Sequence, residues 1–139
     1  STSQVKELRE KTGVGIMDCK AALAASEGDI DKAVDYLRKK GIATAKKRGG
    51  RATSNGQVQA YIHAGGKIGV LLEVNCETDF TGNTEDFTRF VKDLCLQEQP
   101  FVKNPDVTVQ DLLNDMIAKT GEKVVINRFV RFQLGETEQ

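Results

Sequence analysis

The hydrophobic residues of the chain follow two different periods, one in each half. Before residue 40 they recur three or four positions apart, as in Ile30, Ala33, Val34 and Leu37, which is the spacing of a helix that buries one side. From residue 58 onward apolar and polar residues alternate, which is typical of a strand, and helical stripes then return. The chain is therefore predicted to be an α+β protein with a helical first part and a mixed second part.

The first part predicts three short helices. One begins near Val5 and stops at Gly13, because residues 12–15 carry two glycines, which break a helix. A second runs from Ile16 to about residue 26, and a third starts at Asp29. Helices this short are unstable alone, so we expect them to pack together into one module, residues 1–40.

The second part, residues 56–139, predicts a three-stranded antiparallel sheet with two helices on one side. Alternating apolar positions at 58–62 and 68–74, separated by glycines, indicate a β-hairpin. A final strand is expected over residues 124–134. Its apolar side chains are expected on one face: Val124, Ile126, Val130 and Phe132.

Two helices are predicted between the hairpin and the final strand, from apolar stripes at residues 87–95 and 109–117. Asn83 and Thr108 are the expected start signals, each followed three residues later by an aspartate, as in a capping box. Gly121 is expected to end the second helix, because glycine adopts the left-handed conformation that closes a helix.

The charges are unevenly distributed along the chain, although 20 basic and 20 acidic residues cancel. Every charged residue between positions 38 and 51 is Lys or Arg. We expect residues 41–55 to form a basic linker that is flexible from Gly49. Two interpretations stay open, a solvated linker or a contact with nucleic-acid phosphates. No aromatic residue is interleaved to stack on a base, so sequence-specific RNA recognition is not expected.

Length and composition exclude several classes of protein. With 139 residues, 39% of them hydrophobic, the chain suits a folded domain and lacks an apolar stretch long enough to span a bilayer. Its first residues do not resemble a secretory signal, and Cys19, Cys76 and Cys95 lie far apart. We expect a reduced intracellular protein without disulfides or a zinc site.

The sequence does not predict an enzyme. Residues 64–68 lack the spacing of a phosphate-binding loop, because Tyr61 stands where its first glycine is needed. His63 is the single histidine and has no partner at the spacing of a catalytic dyad. Nothing near Cys76 supplies the base that a thiol nucleophile needs. No catalytic residue, metal or cofactor is expected.

Two short segments remain that have both a structural and a binding interpretation. Phe80 follows a strand and precedes a helix, so it lies on a loop and either packs into the core or projects as an anchor for a partner. Residues 12–15 are either a plain turn between helices or, together with Ile16 and Met17, an apolar lip that also includes Val14.

These segments coincide with a family resemblance. Residues 12–23, TGVGIMDCKAAL, resemble the N-terminal signature of elongation factor Ts, and residues 73–80, EVNCETDF, resemble its core signature. Residues 98–103, EQPFVK, and 128–136, RFVRFQLGE, resemble the end of the shorter form of that family. The motifs occur in the same order and cover nearly the whole chain.

The resemblance implies a guanine nucleotide exchange factor for elongation factor Tu in translation elongation, which involves no covalent catalysis. It implies a ubiquitin-associated-like module that docks on the GTPase domain of the partner. The implied docking residues are Thr12, Gly13, Val14, Gly15, Ile16, Met17 and Lys20. It also implies that Thr78, Asp79 and Phe80 act as a wedge beside the partner's magnesium and phosphate site. The alternative from the residues alone is a non-catalytic adaptor or RNA-associated protein that uses the module and the basic linker.

The chain departs from the family pattern in two places. Thr81 and Gly82 follow Phe80 where the family usually has Val-Ala, which predicts a more polar and flexible loop. A helical excursion that normally precedes the motif at residues 98–103 is missing. Short forms in the family obtain a second core half from another copy, so the resemblance implies a homodimer through residues 56–139. It also implies a cytoplasmic protein or, alternatively, one of an organellar matrix or stroma.

Overall fold

A computed structural model describes residues 1–97 and 106–137. The motif at residues 98–103 lies outside the described residues. The remainder divides into two units. Unit 1 comprises Ser1–Arg51 and Gln110–Lys123, and unit 2 comprises Ala52–Val109 and Val124–Gln139, in each case as far as the structure describes them. The α+β class is confirmed, since the described elements are six helices and one three-stranded antiparallel sheet.

Unit 1 begins with the three predicted helices. They are α1 (Thr2–Thr12), α2 (Ile16–Ala25) and α3 (Ile30–Lys47). Asp29 caps α3 by accepting a hydrogen bond from the Lys32 backbone N–H, and this bond is the main cause that lowers the pKa of Asp29. The three helices enclose a core formed by their apolar stripes and by one residue of the turn between α1 and α2, Val14. The helical members are Leu8, Cys19, Ala22, Leu23, Ala33 and Leu37.

The third helix differs from the prediction at its end. It continues to Lys47, past the expected module boundary at residue 40 and through the first part of the expected linker. Gly41 was interpreted as part of that linker, yet it is buried inside α3. A Cβ at Gly41 would lie 2.6 Å from the carbonyl oxygen of Asn114, so the missing side chain allows another helix to approach closely. Glycine here permits packing instead of ending the helix.

That approaching helix is α6 (Val109–Thr120), which was expected on the sheet and instead belongs mainly to unit 1. Ala118 packs against the unit 1 core. The Arg38 guanidinium donates two hydrogen bonds to the Asp115 carboxylate, at 2.8 and 3.1 Å, and this pairing raises the pKa of Arg38. Lys123, just beyond α6, donates to the carbonyl oxygen of Gly49 at 2.7 Å. Unit 1 therefore contains four helices among its described residues.

Unit 2 is built on the predicted sheet. Its strands are β1 (Asn55–Ile62), β2 (Ile68–Cys76) and β3 (Val124–Gln133), in the order β1-β2-β3 with antiparallel pairing. Helix α5 (Glu85–Gln97) and the short α4 (Asp79–Gly82) pack on β1 and β2. The apolar stripe of α5 is buried as predicted: Phe87, Phe90, Val91, Leu94 and Cys95.

The two faces of this sheet differ in what covers them. On the inner face, β2 buries Ile68, Val70, Leu72, Val74 and Cys76. The opposite, outer face presents exposed apolar side chains from all three strands. We define this outer face by its apolar members: Val58, Ala60, Ile62, Leu71, Val130 and Phe132.

Strand β3 does not keep its apolar residues on one face as predicted. Val74 pairs with Ile126 and Glu73 with Arg128, so Asn127 is an extra residue in β3. Such a bulge moves the following side chains to the other side of the strand. Val124 and Ile126 therefore face inward, whereas Val130 and Phe132 belong to the outer face.

The helix boundaries near the predicted signals are mostly confirmed. Helix α5 is capped by Thr84, whose Oγ1 accepts from the Phe87 N–H at 3.2 Å, one residue after the predicted Asn83. Helix α6 begins directly after Thr108. Gly121 follows its last residue with φ 68° and donates its N–H to the carbonyl of Ile117, as predicted for a helix end.

Candidate partner-binding site

Phe80 projects from a capped turn that joins β2 to α5. The turn is α4, in which the Thr78 side chain accepts a hydrogen bond from the Thr81 N–H at 3.3 Å. Asn83 N–H closes it by donating to the Asp79 carbonyl at 2.9 Å. Phe80 is 83% exposed, the largest value among the described large hydrophobic residues. Of the two interpretations of Phe80, the structure therefore excludes a core side chain.

The residues that follow Phe80 do not form the flexible loop that was expected. Thr81 is only 6% exposed and Gly82 is buried as well, so this side of the turn packs onto the sheet. A Cβ at Gly82 would lie 3.1 Å from the Gly56 backbone nitrogen and 3.3 Å from Cys76 Sγ. The turn has one face fixed against the protein and one face that carries Phe80 into solvent.

Gly56 is required where the turn meets the sheet. Its φ of 130° is in a region that side chains rarely adopt, and a Cβ there would collide with the Val74 carbonyl oxygen. Because Gly56 has no side chain, β1 lies close to both β2 and the turn. Sequence reasoning missed this residue, although a glycine within a strand often marks a place where another backbone approaches closely.

Two side chains of β1 hold the turn at its ends. Asn55 donates through Nδ2 to the Glu77 carbonyl oxygen at 3.1 Å, just before the turn. Gln57 donates through Nε2 to the Gly82 carbonyl oxygen at 2.7 Å, at its last residue. Sequence reasoning also missed these residues, because polar residues that alternate along a strand are typical of a solvent-facing side.

The second predicted segment, residues 12–17, joins α1 to α2. Thr12 Oγ1 accepts from the Val14 N–H at 3.3 Å, and Gly13 ends α1 with a φ of 67° and a hydrogen bond from its N–H to the Arg9 carbonyl. Val14 is 2% exposed and belongs to the core. The expected apolar lip therefore does not include the Val14 side chain.

Exposed residues after this turn do form a surface. Gly15 caps α2 without a side-chain hydrogen bond, and a Cβ placed on it would meet nothing within 4 Å. Met17 is 75% exposed and Ile16 is 46% exposed. Lys20 is exposed as well, and with Ile16 it lines a groove of about 790 Å³ between α1 and α2. The structure thus brings an apolar pair and a cation to one accessible surface.

Cys19 supports the same turn from inside unit 1. Its thiol is fully buried, and Sγ donates to the Val14 carbonyl oxygen at 3.5 Å. Desolvation raises the pKa of the Cys19 thiol, with the Thr12 hydrogen bond acting in the opposite direction. The thiol therefore stays neutral at physiological pH and acts as a small core residue.

Several other polar residues form pairs with neighbours in the same unit. His63 Nδ1 and the Tyr61 hydroxyl lie 2.9 Å apart at the end of the hairpin. In the basic segment, Arg38 and Lys40 make ion pairs with Asp115 and Asp18, both within unit 1. Within residues 1–97 and 106–137, no cluster of three or more His, Cys, Asp or Glu is arranged to hold a metal ion. None of the helices in the same ranges is long and apolar enough to cross a membrane.

Comparison with known proteins identifies relatives over almost the whole chain. Residues 84–136 match the family described as Elongation factor TS. The chain is 43% identical to elongation factor Ts of Caldanaerobacter subterraneus, over 98% of this chain and 97% of the relative. It is 44% identical to elongation factor Ts of Desulfosudis oleivorans, over 98% of each. With identities this high over nearly the full length, the chain belongs to the elongation factor Ts family.

Proposed function

We propose that this protein is a guanine nucleotide exchange factor that promotes release of GDP from elongation factor Tu during translation elongation. The observation that carries the proposal is the turn at Phe80. A phenylalanine that is 83% exposed is held on a capped turn whose next residue, Thr81, is buried. An aromatic that projects from a fixed turn is suited to enter a pocket of a partner, because the backbone loses little freedom on binding.

Unit 1 supplies the proposed docking surface. The exposed side chains of Ile16, Met17 and Lys20 would contact the GTPase domain, with Thr12 and Gly15 beside them. Val14 contributes through its backbone and by packing beneath the turn, because its side chain is in the core. Gly13 has the left-handed conformation that directs the chain from α1 into this surface.

Exchange follows from binding alone. A factor that binds the nucleotide-free GTPase more tightly than the nucleotide-bound form must weaken nucleotide binding by the same ratio. The difference has to come from contacts that form only when the nucleotide site is distorted. The wedge of Thr78, Asp79 and Phe80 is proposed to provide those contacts.

The partner's magnesium ion is the sensitive point of such a site. Magnesium bridges phosphate oxygens to protein ligands and requires a nearly ideal octahedral geometry. An aromatic side chain inserted beside it displaces ligands and removes much of the electrostatic hold on GDP. This step forms and breaks no covalent bond, so no catalytic side chain of this protein is needed.

The experiment is release of fluorescently labelled GDP from elongation factor Tu with catalytic amounts of this protein. The wild-type protein is expected to accelerate release strongly. Phe80→Ala should remove most of the acceleration, by about a hundredfold or more if the aromatic supplies roughly 3 kcal/mol of the differential binding. Circular dichroism should show the variant as folded, because the Phe80 side chain is 83% exposed.

Phe129→Ala is the matched control, since Phe129 is another exposed phenylalanine of unit 2 that lies outside the turn and the outer face. It should leave GDP release unchanged. Equal rates for Phe80→Ala and wild type would contradict the wedge, and no acceleration by the wild type would contradict the exchange function itself.

We also propose that two copies associate through the outer face of the sheet. This face is apolar on all three strands and nothing in unit 2 covers it among the described residues. Exposed apolar patches of this kind mark interaction sites. The alignments with relatives extend over 194 positions, more than the 139 residues of this chain, so the relatives carry a segment that this chain lacks. We therefore propose that a second copy of the chain covers the outer face.

A further inference from the structure

We infer that Gln57, assisted by Asn55, is a positioning residue that fixes the orientation of the Phe80 turn. Neither residue lies in the wedge, and both act on it from the neighbouring strand β1. The inference rests on the proposed exchange function, because it explains how the wedge acquires its geometry. Its support is a set of hydrogen bonds that join one carboxamide to two parts of unit 2.

The carboxamide of Gln57 uses both of its donors and also accepts one hydrogen bond at this place. Nε2 carries two protons and donates one to the Gly82 carbonyl oxygen and one to Thr88 Oγ1, each at 2.7 Å. Its Oε1 accepts from Gln59 Nε2, also at 2.7 Å. Gln57 thus joins the last residue of the turn to the first half of α5, and Gln59 fixes the amide orientation.

The opposite end of the turn is held by two further donors. Asn55 bonds the Glu77 carbonyl oxygen, and Cys76 Sγ donates to the Thr78 carbonyl oxygen at 3.1 Å. Together with Gln57, these bonds fix the backbone before and after the turn. Phe80 lies between the fixed points, so its backbone has little freedom although its side chain is exposed.

A turn of four residues needs such external support. Forming one helical turn fixes several backbone dihedrals for a single internal hydrogen bond, so α4 is not stable alone. The Thr78 cap and the burial of Thr81 supply part of the stabilisation. The bond from Gln57 supplies a further part, because the Gly82 carbonyl is at the C-terminal end of α4, where a helix has no internal donor. The bond from Asn55 holds the Glu77 carbonyl just before the turn.

The placement of Gln57 is unusual for a residue that only stabilises the fold. It lies on the inner face of β1, opposite Val74, where an apolar side chain would be the ordinary choice. Gln57 is half-buried, and hydrogen-bond networks that are partly shielded from water contribute little net stability but define one geometry, because an unsatisfied partner is costly. Gln57 therefore exchanges apolar packing for a defined orientation of the turn.

The test replaces Gln57 by methionine, which keeps the length of the side chain and removes both donated protons. GDP release from elongation factor Tu is measured over a range of concentrations of this protein. The maximal rate should fall by about tenfold to a hundredfold, since misplacing a contacting group by roughly 1 Å costs up to about a hundredfold. The concentration for half-maximal acceleration should change by less than about twofold, because the docking surface in unit 1 is untouched.

A double-mutant cycle separates positioning from general stability. If Gln57 acts through the wedge, adding Gln57→Met to Phe80→Ala should lower the rate no further. Hydrogen exchange at the backbone amides of Gly82 and Asn83 should become faster in Gln57→Met, while amides in α5 keep their protection. Asn55→Ala, which removes one bond, should change the rate in the same direction by a smaller factor.

Tyr61→Phe is the matched control, because it removes a side-chain hydrogen bond from the same face of β1 away from the turn. It should leave the maximal rate unchanged. The inference is overturned if Gln57→Met matches the wild type, or if its effect persists undiminished beside Phe80→Ala. If the wild type itself fails to accelerate GDP release, the proposed function fails instead, and the hydrogen-exchange result then decides whether Gln57 orders the turn.

Discussion

Both faces of the unit 2 sheet carry apolar side chains, but the two faces differ in their exposure to solvent. On the inner face, the inward side chains of β2 are buried, α4 and α5 pack on β1 and β2, and Val74 of β2 and Phe87 of α5 are completely inaccessible. On the outer face Ile62 and Phe132 are 67% and 65% exposed. Strand β1 shows the contrast most clearly, because its polar residues point inward and its apolar residues point outward.

This difference shows that hydrophobic alternation does not by itself identify the core side of a strand. In β1 the inward positions carry the amides that hold the Phe80 turn, and the outward positions carry the surface proposed to meet a second copy. An apolar solvent-facing side of a strand indicates a surface that binds a partner. On the proposals above, the inner face serves the wedge, and the outer face serves association with a second copy.

The largest effect is expected from a pair of phenylalanine substitutions that compare the faces directly. Phe87→Ala should lower the free energy of unfolding by about 3–5 kcal/mol, because it leaves a cavity beneath α5. Phe132→Ala should change it by less than about 0.5 kcal/mol in dilute protein, since the side chain is mostly in solvent. Urea denaturation followed by circular dichroism measures both, and a comparable loss in the two variants would contradict the comparison.

The second-largest effect tests whether the outer face is the surface through which two copies associate. Leu71→Lys places a charge at the centre of this face and should raise the dimer dissociation constant at least about a hundredfold, as expected for a central interface residue. Light scattering at micromolar concentration should show a dimer for the wild type and a monomer for the variant. Gln133→Lys adds the same charge at an exposed position outside the face and should leave the mass unchanged. A monomeric wild type would count against the dimer.

The smallest effect concerns the polar edge of the outer face. The Glu73 carboxylate accepts hydrogen bonds from Asn127 at 2.7 Å and Arg128 at 2.8 Å, and these bonds lower the pKa of Glu73. A lowered pKa stabilises the folded protein fully above the unfolded-state value of about 4.3, and the contribution is lost as the pH falls below it.

The melting temperature of Glu73→Gln should therefore be lower than that of the wild type by a constant small amount between about pH 7 and pH 5. This difference in melting temperature should shrink below about pH 4. Differential scanning calorimetry across this range measures the change. A difference in melting temperature that stays constant down to pH 3 would show that the charge of Glu73 contributes nothing.

Much of the fold could be predicted from the period of the apolar residues. The stripes of α3, α5 and α6 and the alternation of β2 each imply one element, because helices and strands have fixed periods. The predictions that were wrong concern features that depend on packing between distant segments. The bulge at Asn127 moves the side chains of the second half of β3 to the opposite face of the sheet, and nothing local distinguishes Asn127 from its neighbours. Gly41 resembles a helix breaker until the position of α6 is known.

The candidate site was predictable to a different extent in its two parts. Phe80 is recognisable from the sequence, because an aromatic residue between a strand and a helix is seldom needed for the fold. The structure places its side chain in solvent. Val14 was expected beside Ile16 on an exposed lip, but a valine after a helix-ending glycine fits the core equally well. Gln57 could not be found, since its role depends on a carbonyl that lies 25 positions further along the chain.

The assembly of unit 1 from two stretches of chain has a consequence for how the protein is made. Arg38 leaves the ribosome well before its partner Asp115, which is 77 positions later in the chain. At synthesis rates of about 5–20 residues per second, roughly 4 to 15 s pass between them. During that interval the nascent helices α1 to α3 exist without the fourth, and Gly41 has no neighbour from α6. Unit 1 is therefore complete only after α6 has been synthesised, although its first helices emerge early.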